Sequence, residues 1–68
     1  MNDEAFNTSI RKFLKTVGVT SQQQLDKAVR AAVASGKLKG TEDVTVKIEL
    51  TSSVLDRPHV IEGTLHLA

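Results

Sequence analysis

The chain has no cysteine, no tryptophan and no tyrosine, and it has one proline, Pro58. Its only aromatic residues are Phe6 and Phe13. Without cysteine there is no disulfide and no thiolate metal site. With two phenylalanines there is little surface on which bases or sugars can stack. Long apolar runs are missing too. Uninterrupted apolar stretches are a few residues long, far short of the roughly 20 that cross a bilayer, so no membrane partner is expected. The opening Met1-Asn2-Asp3-Glu4-Ala5-Phe6 is acidic, whereas a secretory signal opens basic and continues apolar. A cytoplasmic location is the expectation. Charge of one sign is also lacking. Lys and Arg number 9 against 8 Asp and Glu, for a formal net charge of +1. That is too little for the field of the whole chain to draw in nucleic acid or anionic lipid.

The 68 residues make one domain, 1–68. Below about 70–80 residues a single core rarely supplies more than ~3–5 kcal/mol. Small natural domains therefore add a staple or a partner. With cysteine absent, that reinforcement is expected to be oligomerisation.

What is present is a change of hydrophobic period. Up to Ser35 the apolar residues recur at helical spacing, and from Val44 onward they alternate as in strands. Gly36 and Gly40 bracket the switch. The spacing predicts a helix over 3–16, with Asn2 as N-cap and Asp3 and Glu4 at the positive end of its dipole. Phe6, Ile10, Phe13, Leu14 and Val17 form its apolar stripe. Lys12 and Lys15 suit its C-terminal turn, and Gly18 is the natural residue beyond its end. Ser21 with Gln24 reads as a capping box and Val19 with Leu25 as a staple, opening a second helix over 22–35. Leu25, Ala28, Val29, Ala32 and Val33 make its stripe, Asp26 and Arg30 form an i,i+4 pair, and Gly36 ends it.

Lys37 to Asp43 is a polar connector. Val44, Val46, Ile48 and Leu50 alternate with polar neighbours over a strand at 44–51. Pro58 lacks an N–H and suits the beginning of a second strand, over 59–67. Pairing Ile48 with Ile61 sets Lys47 opposite Glu62, whereas a slip of two sets Glu49 opposite Glu62. The first register is expected, because unlike charges face each other there. The fold class is then α+β in the order helix-helix-strand-strand, an αα-hairpin packed on a two-stranded antiparallel β-hairpin. The expected core is Phe6, Ile10, Phe13, Leu14, Val17, Leu25, Val29, Val33, Leu38, Val46, Ile48, Leu50, Ile61 and Leu65.

Chemistry-bearing constellations are few. His59 and His66 are seven apart on one strand and face opposite sides, so they do not share a metal. Glu49 and Glu62 fall on the solvent side of the hairpin beside Lys47, where no cleft perturbs a carboxyl group. Gly36-Lys37-Leu38-Lys39-Gly40 has lysines between glycines, but a helix C-terminus precedes it, the wrong dipole end for phosphate. Asn7-Thr8-Ser9 matches a glycosylation sequon inside a helix and is set aside. No serine has a base at a recognisable spacing. No enzyme activity, cofactor or metal is expected.

Two interaction surfaces remain. Arg11, Lys15, Lys27, Arg30, Lys37 and Lys39 make the first forty positions net positive. Two helices around Gly18 followed by a hairpin resemble a winged helix-turn-helix, an alternative in which these side chains contact nucleic acid. The favoured reading is a protein-interaction module acting as a homodimer. A lone two-stranded sheet has open edges, and the strand His59, Val60, Ile61, Glu62, Gly63, Thr64, Leu65, His66, Leu67 is the longer and less charged one through which two copies join.

The stretch from Phe6 to Gln22, which opens Phe6-Asn7-Thr8-Ser9-Ile10-Arg11-Lys12-Phe13-Leu14-Lys15, resembles the N-terminal part of a small bacterial family of uncharacterised ααββ proteins. Lys27-Ala28-Val29-Arg30, Gly36-Lys37-Leu38 and Val60-Ile61-Glu62-Gly63 resemble it as well, while Ser52 to Pro58 matches least. The resemblance runs nearly the whole chain and implies a family made of this one domain. It implies no activity, cofactor or site residue.

Overall fold

The structure is a computed structural model that describes residues 1–68. The order of elements is one helix, α1 (Asp3–Ala34), and two strands, β1 (Asp43–Leu50) and β2 (His59–His66). The class is α+β, with one helix where two were expected. The chain divides into two units, Met1–Lys37 and Leu38–Ala68, each of which has its own logic.

The first unit is a helix of 32 residues, about 48 Å long at 1.5 Å per residue. Its start follows the expected cap: the Asn2 Oδ1 accepts from the Ala5 N–H at 3.0 Å, and Asp3 and Glu4 occupy the first turn. Its end also follows expectation. The Gly36 N–H donates to the Val33 carbonyl at 3.2 Å, and Gly36 takes φ 83°, a left-handed conformation that a side chain would strain. Asp26 and Arg30 pair at 2.9 Å on the solvent side.

The αα-hairpin is the correction. Gly18 keeps negative φ, so it caps nothing, and the helix passes through the positions read as a turn and a capping box. The last turn carries no basic residue, since Lys12 and Lys15 lie far from it. Two physical reasons account for the continuity. Breaking a helix orphans four carbonyls and four N–H groups, a larger cost than the ~1 kcal/mol penalty of one interior glycine. The neighbouring hydroxyls also turn back onto the ladder instead of capping a new one. Thr16 Oγ1 donates to the Lys12 carbonyl at 3.1 Å and Thr20 Oγ1 to the Thr16 carbonyl at 2.7 Å.

Continuity changes the meaning of the apolar stripe. Phe6, Ile10, Leu14, Val17, Ser21, Leu25, Ala28 and Ala32 now lie along one face, stepping by four, four, three, four, four, three and four residues. Phe6, Val17 and Ala28 repeat at 11 residues, as do Ile10, Ser21 and Ala32, and Leu14 and Leu25. That period lies close to the natural helical one, so the stripe stays on one side along the whole rod.

The second unit is an antiparallel hairpin. Lys47 faces Glu62 and Ile48 faces Ile61, the register expected from charge. One face carries Val44, Val46, Ile48 and Leu50 with Leu65, Gly63, Ile61 and His59 opposite. The other carries the pairs Asp43–His66, Thr45–Thr64, Lys47–Glu62 and Glu49–Val60. Pro58 stands immediately before β2. The loop between the strands is tied by the Leu55 N–H to the Ser52 carbonyl at 3.2 Å.

No residue of the chain is buried, and none of the expected core residues is. A single helix has no interior, and a two-stranded sheet has no second layer. Apolar stripes of this kind become a core only when another surface covers them.

Candidate interaction surfaces

The first candidate surface is the α1 stripe. Of the half-buried positions of the helix, Val17, Ser21, Leu25 and Ala32 fall on it and Val29 lies beside it. Phe13 and Leu14 beside them are 55% and 53% exposed. Side-chain size tapers along the stripe, from Phe6, Ile10 and Leu14 in the N-terminal half to Ala28 and Ala32 in the C-terminal half.

The second surface is the apolar face of the hairpin, where Ile48 and Ile61 are 41% and 53% exposed. Gly63 interrupts it opposite Val46. A Cβ built at Gly63 would lie 3.7 Å from Val46 Cγ2, an ordinary contact, so the hairpin itself does not require glycine there. A shallow concavity beside it is lined by Thr45, Val46, Lys47, Glu62, Gly63 and Thr64.

The third surface is the free edge of β2. The Leu67 N–H donates to the Glu42 carbonyl at 3.2 Å, which makes 42 and 67 a hydrogen-bonded pair just beyond the ladder. Antiparallel pairs alternate between bonded and non-bonded. The backbone groups of Ile61, Gly63 and Leu65 therefore turn toward β1. Those of Val60, Glu62, Thr64 and His66 turn outward, toward the free edge. His66 Nδ1 and Asp43 Oδ1 meet at 2.8 Å across a close non-bonded pair. His59 sits on the apolar face opposite Leu50. The two imidazoles thus lie on opposite faces, as their spacing requires.

The basic residues do not form one face. Arg11 and Lys15 are a turn apart on α1, and Lys27 and Arg30 form a second group that begins 12 residues beyond Lys15, about 18 Å along the axis. Arg30 is engaged by Asp26. Lys37 follows the helix, and Lys39 belongs to the connector before β1. The helix-turn-helix behind the winged-helix likeness is absent, because α1 has no turn at Gly18. No group of three or more His, Asp or Glu side chains converges to hold a metal ion, and no helix is long and apolar enough to cross a membrane.

The connector holds a feature that sequence reasoning missed. The Glu42 carboxylate accepts from the Lys39 N–H at 2.9 and 2.8 Å, from Gly40 at 2.9 Å and from Thr41 at 3.2 Å. Gly40 bends with φ 94° to aim these groups inward. The carboxyl is held below the usual carboxylate value, chiefly by the Lys39 N–H, with Glu42's own N–H and those of Gly40 and Thr41 adding to it and partial burial opposing it. The N–H groups that lend the glycine-bounded lysine segment its phosphate-loop look are thereby occupied by an internal anion. An acid two residues after Gly40, at the mouth of a strand, was the available signal.

These features define a small α+β chain whose candidate site is a set of open surfaces. The chain belongs to the family of unknown function DUF6494, which it matches over residues 1–68. No curated protein matches it, and no solved structure does.

Proposed function

We propose that the chain is a cytoplasmic, non-enzymatic interaction module that works as a homodimer, two copies joining through the free edge of β2. The observation that carries this reading is the lack of any buried residue.

Register at the edge has a favoured solution. A two-fold axis at Gly63 sets Glu62 opposite Thr64 and Val60 opposite His66, using every outward backbone group of β2. On the apolar face it sets Ile61 against Leu65. An axis at Glu62 would instead oppose two like charges.

Solution mass by light scattering at tens of micromolar tests the reading. A dimer is expected, and a monomer overturns it. Thr64→Pro tests the edge, because it deletes an outward N–H without touching the β1–β2 ladder. It is expected to weaken the dimer roughly thirtyfold, the worth of about two hydrogen bonds, one from each copy.

Nucleic-acid contact by Arg11, Lys15, Lys27, Arg30, Lys37 and Lys39 is the second reading, and the dispersal of these residues along α1 and the connector disfavours it. Binding to a mixed DNA pool that persists at physiological salt would restore it.

A further inference from the structure

We propose that the apolar stripe of α1 is covered by the same stripe of a second copy running antiparallel to it. The inference rests on the homodimer reading and names a further surface for it. Its ground is the taper of side-chain size.

Two packed helices keep a roughly constant separation of about 8–10 Å. A parallel pair would set Phe6, Ile10 and Leu14 on their own copies at one end and Ala28 and Ala32 on theirs at the other. The first end would be overfilled and the second hollow. An antiparallel pair with its two-fold axis at the level of Val19 resolves both. Phe6 then meets Ala32 of the second copy, Ile10 meets Ala28, and Val17 meets Ser21. The two leucines, Leu14 and Leu25, close the gap between those levels. Each bulky side chain finds a small one, and the summed volume stays nearly even along the rod.

Two further observations agree. The 11-residue repeat keeps the stripe on one side, so two straight helices stay in contact over most of their length with a slight right-handed twist. Antiparallel pairing also places the positive end of each helix dipole beside the negative end of the other.

The absence of cysteine makes the test clean. Ile10→Cys chains are mixed with Ala28→Cys chains under mild oxidation. The expected product is a mixed disulfide, with neither variant cross-linking to itself, because like positions would lie about 27 Å apart. Self-linked Ile10→Cys chains would mean parallel helices and overturn the proposal. If the wild-type chain is a dimer and the two cysteine variants still form no mixed disulfide, the proposal is overturned as well, leaving the β2 edge reading in place. A wild-type monomer would overturn both.

A volume exchange supplies the second arm. Ala28→Ile is expected to lose the dimer, and Ile10→Ala with Ala28→Ile to recover it. Failure of the double variant to recover, with helix content retained by circular dichroism, would also overturn the pairing.

Discussion

Glu42 accepts hydrogen bonds from three successive N–H groups, those of Lys39, Gly40 and Thr41. Only the ionised carboxylate offers acceptors alone, so protonation weakens the set. The folded carboxyl titrates below the ordinary value of 4.5. A lowered value in the folded state means that stability from this group is present above the ordinary value and is lost as pH falls through the folded one. Glu42→Gln should remove that part of the acid sensitivity. It should also speed hydrogen exchange of the 39–41 amides, measured by NMR at constant pH. Unchanged exchange would show that Gly40 and its neighbours hold their bend unaided. Asn2 has a comparable task at the other end of the chain. Asn2→Ala should cost roughly 1 kcal/mol in urea unfolding, since the Ala5 N–H loses its acceptor.

At the scale of elements, Gly18 discriminates between one helix and two. A C-terminal glycine with positive φ resists substitution, whereas an interior helical glycine invites it. Gly18 has no positive φ, and a Cβ there meets nothing within 4 Å. Gly18→Ala should therefore stabilise the protein by about 0.5–1 kcal/mol in thermal or urea unfolding. A loss instead would point to a close neighbour at that turn. The hairpin has its own test. Lys47→Glu would place like charges at a facing pair and should cost about 0.2–1 kcal/mol.

The elements also show which parts of the fold could be read from residues alone. Alternation gave β1 and β2 to within a residue, and the Lys47–Glu62 pairing selected the register, because both signals lie within a few positions. Asn2 and Gly36 marked the true ends of α1 for the same reason. Gly18 and Ser21 carried equally good local signals and misled. What overrides them is the shared phase of Val17, Ser21 and Leu25 across the apparent break, which a search for caps does not weigh. Of the candidate surfaces, the β2 edge was legible as a range. Which of its backbone groups face outward needed the hydrogen-bond parity.

At the scale of the whole molecule, a folded state completed by a second copy must obey mass action. The thermal midpoint should rise with protein concentration, and dilution alone should unfold the chain. A midpoint independent of concentration over a hundredfold range would refute the dimer as the stable unit.

The two phenylalanines, Phe6 and Phe13, both lie in the N-terminal half of α1, on or beside its apolar stripe. With neither tyrosine nor tryptophan, the chain is almost transparent near 280 nm, and its only phenyl-ring resonances arise from one side of one helix. A fluorine label on phenylalanine therefore yields two signals, both watching the surface most in need of a partner. The protein is dark to ordinary optics and carries its own two lamps at the place where an encounter would be seen.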